Sequence, residues 1–244
     1  MIIIPMAGLS SRFFKAGYTK PKYMLEAHGK TLFEHSVGSF EHYFKSKPFL
    51  FIVRKDFDTP EFVTKQAMKL GISEYHIAPL ENETRGQAET VALGLDYLAN
   101  QGVHYHGDIT VFNIDTFRPN FRFPDVAKHS AGYLEVFKGG GDNWSFAKPE
   151  SNTSTKVVET AEKRPISDLC STGLYHFAST QHYQDAYADY LAKPSSEWEK
   201  GELYIAPLYN FLIQQGLDIH YHLIKNDDVI FCGVPSEYDK FLEK

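Results

Sequence analysis

Long apolar runs are what this sequence most plainly lacks. The opening MIII stops at Pro5 and has no basic flank, so a signal peptide is not expected, and no later segment reaches the length a bilayer requires. A soluble protein with no membrane partner is the expectation. Cysteine is scarce: Cys170 and Cys232 stand alone, without paired spacing, as suits packing residues of a reduced, cytoplasmic protein. Basic runs are short, and 31 acidic against 25 basic residues give a net charge of -6, which argues against a nucleic-acid partner. Repeats and low-complexity segments are absent, the GGG at 139–141 being a turn at most. What is present is 244 residues, 43% apolar and 23% charged, enough to bury the core of one globular domain and too apolar for a disordered chain.

Residues 1–5, FLFIV (49–53) and ITVFNI (109–114) are continuous apolar runs of the kind found in central parallel strands. Helical spacing lies between them. Phe33, Val37, Phe40 and Phe44 recur behind a Thr31/Glu34 capping box, and Ala88, Val91, Ala92, Leu95, Leu98 and Ala99 share a face that ends at Asn100 and Gly102. After about residue 130, AGYLEVF, WSFA, TKVVETAEK and STGLYHF read as short strands between polar turns. A helix follows from about Ser179 to Leu191, with Tyr183, Tyr187 and Tyr190 as core, and another begins near Ala206. This alternation predicts an α/β protein with a Rossmann-like, open, mixed but mainly parallel sheet flanked by helices. It is read as one domain, 1–244, with a lobe to residue 130 and a second lobe from 131.

In such a sheet ligands gather beyond the carboxyl ends of the strands, where the stretch PMAGLSSRFFKAGYTKPKYML (5–25) sits. Its small residues Ala7, Gly8, Ser10 and Ser11 let backbone N–H groups approach an anion, and Arg12 and Lys22 can neutralise phosphate. Neither standard phosphate-loop pattern is present, since Gly17 is followed by Tyr18 and no G-x-G-x-x-G occurs. An ordinary polar surface loop remains open on composition alone. Asp115, closing VFNID, suits a divalent cation and equally a turn after a strand. The doublets His104/His106 and His220/His222 would each share a strand face, but no third ligand of clear spacing makes either a zinc site. Adjacent strand residues face opposite ways, so at most one of Glu162 and Lys163 is expected to reach a ligand.

The order M-A-G-x-x-S-R and then P-K-Y-M-L resembles the opening of the sugar-nucleotidyltransferase family, roughly A-A-G-x-G-T-R followed by P-K-P-M or P-K-A-L. The resemblance continues in order along nearly the whole chain. ETRGQAETVALGL (83–95) resembles the family's base-recognition loop and helix, and VFNIDTF (111–117) its strand ending in a metal-binding aspartate. KVVETAEKRPISDLCSTGLYHF (156–177) resembles the elements lining the sugar-phosphate site, and GELYIAPLYN and CGVPSEYDKF resemble the closing helices. The resemblance implies the nucleotide-diphospho-sugar transferase fold and transfer of a nucleotidyl group from a nucleoside triphosphate to a phosphorylated acceptor, with release of pyrophosphate. It further implies catalytic Arg12 and Lys22, nucleotide binding by Ala7, Gly8, Leu9, Gly86 and Gln87, acceptor binding by Glu162, Lys163, Thr172 and Gly173, and Mg2+ on Asp115. CTP or UTP is favoured, the setting is surface or capsular polysaccharide synthesis, and a homodimer is possible for the family. CMP transfer to a non-sugar phosphate such as phosphocholine, a related glycosyltransferase, and a non-catalytic nucleotide-binding module are the alternatives. The sequence departs from the family at two places. Ser10 stands where the second glycine is usual, and Phe231 stands two residues before Gly233, where many members carry a second metal aspartate.

Overall fold

The computed structural model describes residues 1–243. Along the chain run β1 (Ile2–Pro5), α1 (Ser11–Lys15), β2 (Glu26–Ala27), β3 (Lys30–Thr31), α2 (Leu32–Gly38), β4 (Phe49–Arg54), α3 (Thr59–Leu70) and β5 (Tyr75–Leu80). Next come α4 (Gln87–Asn100), β6 (Ile109–Phe112), β7 (Thr116–Phe117), β8 (Gly132–Lys138), β9 (Ser145–Pro149) and β10 (Val157–Glu162). The remainder is β11 (Leu169–Phe177), α5 (Thr180–Leu191), α6 (Leu208–Gln214), β12 (Ile219–Leu223), β13 (Ile230–Phe231) and α7 (Pro235–Leu242). The class is α/β, with a mixed, mainly parallel central sheet flanked by helices, as the alternating pattern predicts. Among the described residues no helix is long and apolar enough to cross a membrane.

Two compact units interleave along the chain. The first holds Ile2–Glu83, Phe112–Arg122 and the residues from Asp227; the second holds Met1, Thr84–Val111 and Phe123–Asn226. In the first unit β1 and β4 run parallel, in register from Ile2↔Phe49 to Pro5↔Ile52, and β4 runs parallel to β5. Every residue of β1, and β4 from Phe49 to Val53, is buried, which is why these strands read as unbroken apolar runs rather than as alternating ones. β2 and β3 form a hairpin whose two turn residues, His28 (φ 51°) and Gly29 (φ 74°), both have the positive φ that a type I′ turn requires.

The capping box of α2 forms as expected. The Thr31 hydroxyl accepts from the Glu34 N–H at 3.1 Å, and the Glu34 carboxylate accepts from the Thr31 N–H at 2.8 Å. The helix is shorter than its apolar spacing predicts, however. It ends at Gly38, and a 3-10 turn at Glu41–Tyr43 carries Phe40 and Phe44 into the core by a different backbone path. A glycine in the last turn withdraws helix propensity while burial still rewards both rings.

In the second unit β8 pairs antiparallel with β11 and parallel with β12, and β9 pairs antiparallel with β10 and β11. Tyr183 and Tyr190 of α5 are buried, and the Tyr183 hydroxyl donates to the Ala88 carbonyl of α4 at 2.7 Å, so these tyrosines are core. Two expectations need correction. The strand from residue 109 ends at Phe112, two residues early, and His104 and His106 lie in the loop before β6, not on a strand, so they share no strand face. Gly102 and Gly107 bracket that loop and leave it no ladder partner to enforce alternation. His220 and His222 do lie on one strand, β12.

Candidate active site

The first unit gathers the residues of the opening stretch around one ion pair. Pro21, buried at φ -56°, turns the chain into a 3-10 turn at Lys22–Met24. The Lys22 N–H donates to the Ser10 Oγ at 3.2 Å, so the serine in the place of the family's second glycine ties the two ends of the stretch together. Ser10 itself sits at φ 52°, a left-handed conformation that glycine would adopt without cost. Phe13 is buried against the rings of Tyr18 and Tyr238, at 5.5 and 6.2 Å between centroids, and the Tyr23 hydroxyl is hydrogen-bonded to Thr59 at 2.8 Å. These anchors leave Gly8, Leu9 and Arg12 exposed and Ala7 partly so.

Lys22 Nζ donates to Asp115 Oδ2 at 2.5 Å, with the two side chains 20% and 25% exposed. The pair is thus accessible to a ligand while shielded enough for its charges to act strongly. Asp115 is held from behind, its carbonyl accepting from the Cys232 N–H at 2.8 Å, and β13 pairs antiparallel with β7. Gly233 follows. A Cβ on Gly233 would lie 3.1 Å from Asp115 Oδ2, so the glycine keeps free the space beside the carboxylate. A hard, partly exposed carboxylate beside a space that a methyl group would fill suits a cation that takes few protein ligands and completes its shell with phosphate and water. Among the described residues no cluster of three or more His, Cys, Asp or Glu side chains could hold a metal on its own.

In the second unit Gly86 precedes α4 at φ 149° and ψ 174°. A Cβ there would collide with the Leu203 carbonyl and lie 2.6 Å from its nitrogen, because residues 85–88 and Leu203 exchange backbone hydrogen bonds at 2.9 and 2.8 Å. Only glycine fits, and Gln87 thereby opens the helix in a partly exposed position. Arg85, which sequence reading left aside, binds Glu89 through both its main-chain N–H (2.6 Å) and its guanidinium (2.8 Å) and stacks over Trp198. The four-residue spacing of that pair on a helix start was the signal available.

Glu162 ends β10 and is 7% exposed, receiving a hydrogen bond from the Ser145 hydroxyl, while its N–H donates to the Glu199 carboxylate. Burial raises its pKa and nearby Glu199 and Glu202 push the same way, against Ser145 and Lys163, which lower it. Lys163 lies past the strand end at φ 52°, and its Nζ reaches the Tyr204 hydroxyl at 2.5 Å. The strand-alternation expectation, that at most one of the two reaches a ligand, therefore does not apply, because Lys163 is not a strand residue. Thr172 and Gly173 fall inside β11, where the register against β8 slips between Ser171 and Tyr175. Both are buried; the Thr172 hydroxyl donates to the buried Glu135 carboxylate at 3.1 Å, and Gly173 takes φ 88°. Glu199, Tyr204 and Glu135 were not singled out by the sequence, since only the fold brings them beside Glu162, Lys163 and Thr172.

No family model and no curated protein matches this chain. Solved structures do. A putative glucose-1-phosphate thymidylyltransferase from Bacillus anthracis, in complex with a sucrose, is 17% identical at a TM-score of 0.73, over 99% of this chain and 93% of that one. The inositol-1-phosphate CTP transferase from T. maritima is 14% identical at 0.70, over 100% and 94%. These two share the fold. The nucleoside-diphosphate-sugar pyrophosphorylase from Vibrio cholerae RC9 is 71% identical at a TM-score of 0.98 and covers 100% of both chains. With that full-length identity, the chain belongs to the nucleoside-diphosphate-sugar pyrophosphorylases, a family of nucleotidyltransferase enzymes.

Proposed function

We propose that this enzyme transfers a nucleoside monophosphate from a nucleoside triphosphate, CTP or UTP, to a phosphorylated small molecule of the sugar phosphate class. The observation that carries the reading is the meeting of Lys22 and Asp115, 93 positions apart in sequence, at 2.5 Å beside the small-residue stretch. The nucleophile is an acceptor phosphate oxygen, ionised at neutral pH because the second phosphate pKa is about 6, so no general base is needed. It bonds to the α-phosphorus as the α–β bridging oxygen departs with its electron pair on pyrophosphate. Charge and alignment are what the chain must supply.

Arg12 and the backbone N–H groups at Ala7, Gly8 and Leu9 hold the triphosphate and stabilise charge gathering on the leaving pyrophosphate. Asp115 would hold Mg2+, which supplies Lewis-acid charge at the α-phosphate. Lys22 then exchanges Asp115 for phosphate oxygens and carries positive charge to the point where nucleophile and α-phosphate meet. Gly86 and Gln87 present the base-reading edge of α4. Glu162 and Lys163 address the acceptor; Thr172, its hydroxyl committed to Glu135, fixes the irregular stretch that carries Gly173. The product is a nucleotide-activated compound for surface polysaccharide synthesis, made in the cytoplasm where triphosphates are supplied.

The test is pyrophosphate release from each of the four common triphosphates with Mg2+ and a panel of sugar 1-phosphates, polyol phosphates and amino-alcohol phosphates. Release with a pyrimidine triphosphate that depends on one acceptor is the expected result. Nucleotide binding with no release from any pair would overturn it in favour of a binding module, and sugar transfer from a preformed nucleotide sugar would overturn it in favour of a glycosyltransferase.

A further inference from the structure

Phe231 stands where the family resemblance would place a second metal aspartate, and the backbone after it runs close against Asp115. β13 pairs Phe231 with Thr116, the Cys232 N–H binds the Asp115 carbonyl, and Gly233 comes to lie against the Asp115 carboxylate. A phenyl ring has no oxygen to offer a cation. Asp227 and Asp228 stand in the exposed turn before β13, where the Asp228 carbonyl is taken by Arg118.

In the first turn of α7 a carboxylate approaches Gly233. Pro235 starts α7, and Glu237, two residues into it, folds back so that its Oε2 accepts from the N–H groups of Gly233 (2.7 Å) and Val234 (3.2 Å). The point that a Cβ of Gly233 would occupy lies 3.1 Å from Asp115 Oδ2 and 3.6 Å from Glu237 Oε2. The two carboxylates therefore flank one small space, which stays open because residue 233 has no side chain.

Charge points the same way. Lys22 offsets Asp115, so that pair alone presents no net negative charge to a cation, and a second carboxylate restores it. Mg2+ keeps most of its waters and takes one or two carboxylates together with substrate phosphates, so a ligand set of Asp115 and one more acid is sufficient.

We propose that Glu237 is the second acidic group of the divalent-cation site, acting from the first turn of α7 in place of the absent aspartate at 231. This rests on the nucleotidyltransferase reading for the presence of a cation, and on this chain's own geometry for the residue. Glu237 has two duties: its Oε2 caps α7, and the charge of its carboxylate supports the cation or one of its waters in the space beside Gly233.

The test separates the two duties. Glu237→Gln keeps an acceptor oxygen for the cap and loses the charge, and Gly233→Ala keeps the cap and both carboxylates while putting a methyl group into the space between them. Mn2+ alone is the probe, titrated into the full-length protein and followed by the electron paramagnetic resonance signal of the free ion, with melting temperature measured alongside. Wild type is expected to bind Mn2+ and Asp115→Asn to lose it. Glu237→Gln is expected to weaken it by roughly tenfold to a hundredfold, the range for acidic groups that support a metal, at an unchanged melting temperature. Gly233→Ala is expected to weaken it as well. Mn2+ affinity unchanged in both Glu237→Gln and Gly233→Ala, or no binding to wild type, overturns the proposal. The readout is independent of turnover: wild type that binds Mn2+ through these residues but releases no pyrophosphate upholds the site and defeats the proposed reaction.

Discussion

Glu162 is a carboxylate kept largely out of water, accepting from the Ser145 hydroxyl. Burial raises its pKa first, with Glu199 and Glu202 adding to the shift while Ser145 and Lys163 oppose it. The folded-state pKa thus stands above the unfolded one, so this group's contribution to stability is present below the unfolded pKa and is lost as pH rises through the folded value. Glu162→Gln is expected to gain stability relative to wild type as pH is raised from 4.5 to 7.5, read as the difference in melting temperature. A difference that does not change with pH would contradict that burial. At this scale Lys22 and Asp115 could be picked out as candidates because each sits in a short motif resembling the family's, though their contact with each other could not. Glu199 and Tyr204 could not be picked out, because only the fold brings them beside Glu162 and Lys163. Lys163 shows a second limit: strand alternation does not apply to it, because it takes a left-handed conformation just past the end of β10.

Among the elements, α2 shows how local chemistry and burial divide the work. Its start is fixed by the reciprocal bonds of Thr31 and Glu34, and Glu34 also takes an ion pair from Lys69 at 2.6 Å, so the cap connects α2 to α3. Thr31→Ala is expected to cost about 1 kcal/mol, the usual worth of such a cap, and Thr31→Ser to restore most of it. Urea denaturation measures both; equal stability of all three proteins would show that the cap contributes nothing. The start of α2 was readable because a capping box is a four-residue signal, whereas its end was not, since Phe40 and Phe44 keep helical spacing while reaching the core from a 3-10 turn. The two-residue strands of the His28–Gly29 hairpin are too short to show any period.

Across the whole molecule the chain returns on itself. The last helix belongs to the same compact unit as the opening stretch, and Tyr238 donates to the Glu26 carbonyl at 2.7 Å across 212 positions of sequence. Phe13, Ala27, Leu32, Phe117, Cys232, Tyr238 and Phe241 form one buried cluster within that unit, so the stretch that carries Lys22 is backed by residues from both ends of the chain. The α/β class was legible from alternating apolar periods. The interleaving was not, because pairing between distant segments leaves no local trace. If this unit sets Lys22 and Asp115 for the proposed nucleotidyl transfer, kcat for pyrophosphate release by Lys22→Ala, measured beside wild type with its preferred triphosphate and acceptor, falls on the order of 10²-fold or more with the melting transition intact. A folded Lys22→Ala enzyme turning over at a near-normal kcat would refute that role for Lys22.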